Sequence, residues 1–512
     1  MFYRSKLFLA LLFILGSLNS FAQPFSERLK QYLSSVSTPL SYLEEVKEFY
    51  SPDNYNFSWF SKQHVGDLTI LANYINDADM LGLMKDDYHP ALFKTYMASQ
   101  PPGDSLSAEL QFTDAAIHWL HDVLLGNTSP SLGYNGLKYD PACYDIPVLL
   151  NNYLTSGRFS MLLTEQESKQ PEYLAVKSKL IAFKKMSSIN GFKDTIIPAS
   201  KPVITNKPLL TRLYQLGFLA SDTTMLTEKM LASKLKEAQK MFNVLNDGEL
   251  RSTTLQALNV PLQTRITELK NTLNTMRWLN CIKKEQHVVI VNIPSANLLL
   301  YEHEKLVMES RVIVGKRSTP TPTLSSTITE VILYPYWNVP YKIATQELLP
   351  AIKRNPGYIN VNNYQVLNRS GKVVDPSKVN WHSLSAGNFP YTIRQSTGCD
   401  NALGLIKLNF YNPFSVYLHD TPNKYLFSLN KRYFSHGCMR LQKAMELGRY
   451  IMQGNTIALD TLSEKGCLKN QSPITVPATE KIPVFVLYQT AWVDGSGSVF
   501  FYDDVYDRVR NK

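Results

Sequence analysis

One short segment of the 512-residue chain combines the residue types that covalent acyl transfer requires. Residues 435–440 read Ser-His-Gly-Cys-Met-Arg. A cysteine attacks a carbonyl as the thiolate, so Cys438 needs a base or a cation to ionise a thiol whose ordinary pKa is about 8.5. It also needs N–H donors for the oxyanion, and peptide groups around Gly437 and Cys438 can supply them. Gly437 lets a carbonyl approach the backbone, and Arg440 favours thiolate or holds a substrate carboxylate.

Two histidines are candidates for the base. His436 lies two residues before Cys438, whereas His419 lies 19 residues before it, far enough for a strand, a loop and a turn. If residues 415–419 form a strand, alternation places Tyr417 and His419 on one face, where they would line the site. Spacing alone leaves both histidines open as the base. It also leaves open a purely structural cysteine in a turn.

The sequence around this segment predicts strands. From His287 onward, short β-rich runs are separated by turn residues, and further runs lie at 404–410 and 414–419. Near the C-terminus two apolar runs flank Asp494-Gly-Ser-Gly, which is typical of a β-hairpin. Residues 341–393 interrupt the pattern with mixed sequence rich in Asn, Gly and Pro. We expect a mainly antiparallel β domain with this segment as an inserted cap or lid.

The first half of the chain is predicted to be helical. Apolar residues recur at helical spacing over 110–125 and 173–186, and a stripe from Leu262 to Met276 predicts a long connecting helix. The expected fold class is therefore multidomain α+β. The predicted domains are a signal peptide (1–22), a helical scaffold domain (23–200), a small helical unit (201–262), a linker helix (263–284) and a mainly β domain (285–512) with the cap (341–393).

Composition and the N-terminus indicate an exported globular protein. Hydrophobic residues make up 44% and charged residues 19%, which excludes coiled coils and largely disordered chains. The net charge of +10 is scattered, so no nucleic-acid footprint is indicated. Arg4 and Lys6 precede an apolar run at 7–18 and the small-residue site Ser20-Phe21-Ala22, as in a secretory signal. The run is shorter than the roughly 20 residues of a membrane span, so we expect no stable span after cleavage.

The cysteine pattern indicates neither a zinc site nor a fully paired framework. The chain has five cysteines, an odd number, so at least one thiol is unpaired if the others form disulfides. None lies in a metal-ligand spacing. The five are Cys143, Cys281, Cys399, Cys438 and Cys467.

Residues 419–440 resemble the signature of the L,D-transpeptidase family, whose YkuD-type catalytic domain carries a histidine, a spacer and then Ser-His-Gly-Cys-x-Arg. The stretches RVIVGK, YPYWNVP and NALGLIKLNF are similar to the large periplasmic, YcbB-like subgroup. The chain before residue 284 resembles that subgroup's scaffold, peptidoglycan-binding-type helical unit and linker helix. One departure is Cys399, because the subgroup usually has a Pro-Gly pair shortly before its Asn-Ala-Leu-Gly.

The resemblance implies a role for each candidate site residue. Cys438 is the nucleophile and His419 the proton donor and acceptor. His436 and Gly437 shape the oxyanion site. The substrate contacts that it implies are Arg440, Tyr417 and Trp337.

The implied reaction is acyl transfer between peptidoglycan stem peptides in the periplasm or cell envelope, with no metal or organic cofactor. The cysteine takes the acyl group of a tetrapeptide donor as a thioester, and the side-chain amine of a diamino acid on another stem resolves it into a 3→3 cross-link. Carbapenems would acylate the same cysteine. Two alternatives remain, an L,D-carboxypeptidase that uses water as acceptor and a non-catalytic wall-binding scaffold.

Overall fold

The computed structural model describes residues 25–34, 40–52, 58–61, 64–99, 105–198, 206–453 and 471–509. The predicted signal peptide and Cys467 lie outside these residues. By its contacts the chain divides into two compact units. The first comprises the described parts of Met1–Asp79, Leu83–Asn127 and Ala142–Glu167, and the second those of Met80–Gly82, Thr128–Pro141 and Ser168–Lys512.

The first unit is built around one long helix, Ser105–Leu124. Apolar side chains at helical spacing, such as Leu110, are buried along it. Its buried Glu109 carboxylate accepts hydrogen bonds from the N–H groups of Ser58 and Trp59 at 2.6 and 3.0 Å, which offsets the cost of burying a charge. The other helices are Phe25–Ser34, Leu43–Tyr50, Val65–Asn76, Pro90–Ser99, Ile146–Thr155 and Leu162–Gln166, with 3-10 turns at Lys85–Asp87 and Phe159–Met161.

The second unit contains helices that share one apolar core. The predicted stripe is buried along the helix Leu262–Trp278, where Ile266, Leu269 and Leu273 are fully enclosed. Thr227 caps the helix Glu228–Met241 by accepting a hydrogen bond from the N–H of Met230. The other helices of this region are Pro171–Ser187, Lys207–Gln215, Ser252–Leu258 and Asn280–Glu285.

Sixteen strands lie within the described residues, and nearly all belong to the β domain. They are β1 (Tyr134–Asn135), β2 (His287–Asn292), β3 (Asn297–Glu302), β4 (Lys305–Gly315), β5 (Leu324–Leu333), β6 (Trp337–Asn338), β7 (Tyr364–Leu367), β8 (Val373–Val374), β9 (Thr392–Gln395), β10 (Ile406–Phe410), β11 (Leu418–His419), β12 (Tyr433–Ser435), β13 (Met439–Leu441), β14 (Ile474–Leu487), β15 (Ala491–Val493) and β16 (Val499–Phe501).

The main sheet has ten strands and closes on itself. It runs in the order β5-β10-β11-β13-β4-β3-β2-β14, and β14 pairs back with β5. The short β1 adds to β5, and β12 pairs with β4. Most pairings along the ring are antiparallel, although β11 with β13 and β14 with β2 are parallel. Closure encloses an apolar core, against which Leu447 and Ile451 of the helix Ala444–Ile451 pack.

The inserted segment 341–393 has a small core of its own, centred on Ile352, Ile359 and Ile393. Its strands β7, β8 and β9 join β6 in a separate four-stranded sheet. Its helical turns are Tyr341–Ile343, the π-helix Ala344–Leu348, Leu349–Arg354 and Tyr358–Val361, with 3-10 turns at Pro376–Lys378 and Trp381–Ser383. The C-terminal hairpin is formed by β15 and β16, as the sequence predicts.

The predicted strand at 414–419 is much shorter in the structure. Ser415 has a positive φ of 56°, which breaks extended backbone, and β11 begins only at Leu418. The Asn412 side chain holds the preceding loop, because it donates to the carbonyl of Val416 at 2.7 Å and accepts from the N–H of Val416 at 3.1 Å. β11 is therefore a short strand that follows a turn held by hydrogen bonds of the Asn412 side chain.

Candidate active site

Strand pairing places the predicted residues on one face of the main sheet. β11 pairs in parallel with β13, so that Leu418 lies opposite Met439 and His419 opposite Arg440. Leu418 and Met439 are both buried in the core. Because successive side chains alternate, His419 and Arg440 face the other side of the sheet.

Tyr417 lies two residues before His419, and Cys438 lies two residues before Arg440, so the alternation places both on this same face. The N–H of Met439 donates to the carbonyl of Tyr417 at 3.0 Å, which fixes the two chains beside each other. The rings of Tyr417 and His419 lie 5.6 Å apart, centroid to centroid. The expectation that these two side chains share a face is confirmed. Tyr417, His419, Cys438 and Arg440 thus come together from two segments of the chain.

The Cys438 thiol is partly exposed and lies 3.9 Å from the carbonyl oxygen of Ser415. Burial raises the pKa of this thiol above its ordinary value. Hydrogen bonding from Tyr417 and the positive charges of Lys407 and Arg440 oppose the rise. The sulfur is therefore a neutral thiol near pH 7 that needs a base at the moment of attack.

His419 has the protonation state of a base. Burial, the charge of Arg440 and the charge of Lys407 lower the pKa of His419 to about 3, against hydrogen bonds with the Asp420 and Leu403 carbonyls. Nδ1 donates to the carbonyl oxygen of Asp420 at 2.5 Å. This bond fixes the tautomer with the proton on Nδ1, so Nε2 carries the lone pair that can accept a proton.

In the Ser435–Cys438 turn, the N–H groups of Gly437 and Cys438 differ in their availability as hydrogen-bond donors. Gly437 has φ of 116°, a conformation that other residues rarely adopt. Its N–H donates to Ser435 Oγ at 3.1 Å and is already engaged. The Cys438 N–H makes no hydrogen bond among the described residues. An oxyanion site here therefore uses the N–H of Cys438, whereas Gly437 contributes the backbone shape.

His436 is directed towards the inserted segment. Its Nε2 donates to Glu347 Oε1 at 2.7 Å, and Lys316 Nζ lies 3.4 Å from the same nitrogen. Between the two histidines that spacing left open, the geometry favours His419 as the base. The contribution of His436 to the oxyanion site stays a prediction.

Lys407 lies on the sheet face that carries His419 and Cys438, which we call the site face. It was not predicted from the sequence. In the β10–β11 pair Lys407 lies opposite His419, while Leu408 lies opposite the buried Leu418. Its Nζ sits 4.0 Å from the centroid of the Tyr417 ring. The alternation Ile-Lys-Leu-Asn-Phe at 406–410 did signal a polar face, but which strand lies beside it depends on long-range pairing.

Hydrogen bonds from the loop after β4 hold the Ser435–Cys438 turn in place. They were not predicted from the sequence. Thr321 Oγ1 donates to the carbonyl of Gly437 at 2.8 Å and accepts from the N–H of Gly315 at 2.9 Å. The Tyr506 hydroxyl donates to the Gly315 carbonyl at 2.6 Å. These bonds hold the glycine turn rigid.

Trp337, which the resemblance implies as a pocket aromatic, lies in β6 of the second sheet. Its ring packs towards Tyr364, with centroids 6.4 Å apart, at the edge of the inserted segment's core. The structure shows this packing contact of Trp337 in the second sheet, and its role in the substrate pocket stays a prediction.

Among the described residues, the other cysteines and the possible metal ligands do not form a second reactive centre. Cys143, Cys281 and Cys399 are disulfide-bonded, and Cys438 is the free cysteine of the described residues. The unexpected Cys399 is thus not a free thiol. Within the part of the chain that the structure describes, no group of three or more His, Cys, Asp or Glu side chains is placed to hold a metal ion.

The same described residues contain no helix long and apolar enough to cross a bilayer.

The chemistry that the arrangement of Cys438 and His419 offers is covalent. A thiol, a neutral imidazole whose Nε2 can accept a proton, and an N–H that makes no hydrogen bond among the described residues are the parts of a cysteine acyl-transfer site.

Comparison with known sequences agrees with this chemistry. Residues 286–459 match the family model of the L,D-transpeptidase catalytic domain (YkuD), and residues 44–180 match that of a Scaffold domain. A protein of Haemophilus influenzae, whose name assigns it provisionally to the L,D-transpeptidases, is 35% identical over 268 residues. The match covers 52% of this chain and 53% of that protein, so the chain spans about half the length of this relative.

Solved structures add little to the sequence matches. An L,D-transpeptidase from Stackebrandtia nassauensis aligns at 15% identity with a TM-score of 0.21, covering 58% of this chain and 97% of its own. One from Mycobacterium smegmatis aligns at 12% identity with a TM-score of 0.18, covering 39% and 58%. Scores this low support no inference. On the sequence matches, the chain combines a YkuD-type L,D-transpeptidase catalytic domain with a Scaffold domain in one multidomain α+β protein.

Proposed function

We propose that this protein is a peptidoglycan L,D-transpeptidase that forms 3→3 cross-links through a thioester on Cys438. The observation that carries the proposal is the placement of the neutral, Nδ1-anchored His419 on the same sheet face as the Cys438 thiol. A partly exposed thiol with a raised pKa needs such a base. The match of residues 286–459 to the catalytic-domain model supports the same activity.

In the acylation step, Cys438 Sγ attacks the carbonyl carbon of the third stem residue, at its L-centre. His419 Nε2 accepts the thiol proton, and the Cys438 N–H stabilises the oxyanion. Collapse of the tetrahedral intermediate breaks the C–N bond. The imidazolium gives its proton to the leaving amine, and the terminal D-amino acid departs.

In the second step, the side-chain amine of a diamino acid on another stem attacks the thioester. His419 takes a proton from this amine and gives it to the sulfur as the C–S bond breaks, so that Cys438 leaves as thiol and His419 is again neutral. The product is an amide between two third-position residues. If water replaces the amine, the same residues yield a trimmed stem, which is the carboxypeptidase alternative.

The remaining parts of the proposal concern location. An N-terminal secretory signal would direct the chain to the periplasm or cell envelope, where its substrates are. The helical region at 201–262 would hold the wall weakly. Its core is built jointly with the helix Pro171–Ser187 and the hairpin residues Val493 and Phe501. Wall binding is therefore best tested on the full chain.

Muropeptide analysis tests the proposal. Sacculi rich in tetrapeptide stems are incubated with the protein and with Cys438→Ala, digested and analysed by mass spectrometry. We expect 3→3 dimers with the native protein alone. Shortened monomers without dimers would assign a carboxypeptidase, and unchanged muropeptides with retained sacculus binding would assign a wall-binding scaffold.

A further inference from the structure

Two cations lie on the site face, and neither makes an ion pair with an acidic side chain of the described residues. None of the ion pairs among the described residues includes Lys407 or Arg440. Arg440 Nε is buried and has no hydrogen-bond partner within the same residues. Lys407 Nζ rests over the Tyr417 ring instead. A partly buried cation that lacks a counter-ion favours the binding of an anion.

A cavity lined by Lys407 lies next to the loop residue that contacts the sulfur, Ser415. Its volume is about 390 Å³, and its lining also includes Glu330, Asn409, Ser415 and Tyr417. Ser415 is one of the lining residues, and its carbonyl oxygen is 3.9 Å from Cys438 Sγ. A substrate group next to the scissile bond can therefore enter the cavity while the carbonyl stays at the sulfur.

The acidic side chain of this cavity is held to one side. Glu330 Oε1 accepts a hydrogen bond from Asn409 Nδ2 at 2.6 Å, along the β5–β10 pair. Lys407 lies two positions along β10 from Asn409 and opposite His419 on β11, and so towards Cys438. Burial lowers the pKa of Lys407, whereas the Cys438 sulfur, once ionised, and the Glu330 carboxylate oppose this. The end of the cavity nearest the thiol is therefore its positive end.

We propose that Lys407, supported by Arg440, binds the free carboxylate of the C-terminal residue that is expelled from the donor stem. This inference rests on the proposed transpeptidase function and names the feature by which donors are selected. The carboxylate carbon is separated from the scissile carbonyl carbon only by a nitrogen and a Cα, a span of about 3–4 Å. A cation beside the sulfur therefore reaches that carboxylate, and the ion pair positions the carbonyl for attack.

The ion pair leaves the covalent balance of acylation unchanged. The S–C bond forms, the C–N bond breaks and the leaving amine takes its proton from His419. The departing amino acid keeps its carboxylate, which leaves Lys407 with it. Donors whose terminal residue carries an amide, or is extended by another residue, lack the charge at this position.

The test crosses an enzyme variant with a substrate variant. Release of the terminal amino acid is measured for a tetrapeptide stem with a free carboxylate and for the same stem with a terminal carboxamide. The enzymes are the native protein, Lys407→Gln, Lys407→Arg and the control Lys481→Gln, which removes an exposed lysine from β14. Circular dichroism and thermal melting check that each variant is folded.

We expect the native protein to prefer the free carboxylate by about 10- to 100-fold in kcat/KM, as for a charge-assisted hydrogen bond. Lys407→Gln should abolish this preference, because it slows the acid donor much more than the amide donor. Lys407→Arg should keep much of the preference, and Lys481→Gln all of it. Equal slowing of both donors by Lys407→Gln, or no preference in the native protein, would overturn the inference. A native protein that releases no amino acid from either donor would instead contradict the proposed function itself.

Discussion

His436, in the turn that carries the nucleophile, is bonded to Glu347 of the inserted segment, with 2.7 Å between Nε2 and Oε1. The two side chains are 32% and 50% exposed, so the pair is open to solvent and contributes at most about 1 kcal/mol. The inserted segment has its own core, and this bond ties it to the turn. The pair therefore matters more for the position of the segment than for overall stability.

Glu347→Ala should leave thermal stability nearly unchanged, with a loss below about 1 kcal/mol. It should increase amide hydrogen exchange in residues 344–354, because the segment loses its bond to His436. Glu446→Ala, on the exposed side of the helix Ala444–Ile451, is the matched control. Exchange in 344–354 that is identical in the two variants would show that the bond does not hold the segment.

Acylation should be nearly independent of pH between pH 5 and 8 and should speed up only at alkaline pH. The pKa of His419 is lowered to about 3 and that of Cys438 is raised, so between pH 5 and 8 the pair is neutral imidazole and neutral thiol. Acid must reach about pH 3 before His419 is protonated, whereas alkali ionises the thiol. The rate of carbapenem acylation, followed by intact-protein mass spectrometry, measures this. An acid limb centred near pH 6.5 that disappears in His419→Ala would contradict the assignment.

The two histidines should respond differently to removal. His419→Ala should acylate slowly near pH 7 and recover in part at alkaline pH, because ionisation of the thiol then replaces the missing base. His436→Ala should be slower by a similar factor at every pH, since it perturbs the turn and not the proton transfer. The same carbapenem adduct is measured from pH 6 to 10. Alkaline rescue of His436→Ala alone would exchange the two roles.

Much of the architecture was predictable because its signals are local. The helical stripe at 262–276 and the hairpin around Asp494 follow from short-range patterns. The predicted strand at 414–419 was too long, because the positive φ of Ser415 is stabilised by side-chain bonds that no periodicity reveals.

The features of the site that were predicted from the sequence are likewise those that depend on short segments of the chain. The Ser-His-Gly-Cys turn and the shared face of Tyr417 and His419 follow from spacing within short segments. Lys407 was missed because its place depends on the pairing of β10 with β11. The partner of His436 was missed for the same reason, since Glu347 lies 89 residues away.

Gly437→Ala should damage catalysis more than its size suggests. A Cβ at this position would meet its nearest neighbours at 3.6 Å, an ordinary contact, so the cost comes from the backbone at φ of 116°. We expect a loss of about 1–3 kcal/mol in unfolding free energy and acylation at least tenfold slower, because the Cys438 N–H is redirected. Urea unfolding and carbapenem acylation measure the two effects. Unchanged acylation would show that this N–H does not stabilise the oxyanion.

The account depends most on a covalent intermediate at Cys438, and direct detection of that intermediate is its sharpest test. The protein and Cys438→Ala are each mixed with a tetrapeptide donor, quenched in acid and analysed by intact mass and peptide mapping. We predict an adduct equal to the donor minus its terminal amino acid, located on the peptide that contains Cys438 and absent from the variant. Amino acid release at the native rate by folded Cys438→Ala, or an adduct on another residue, would contradict the account.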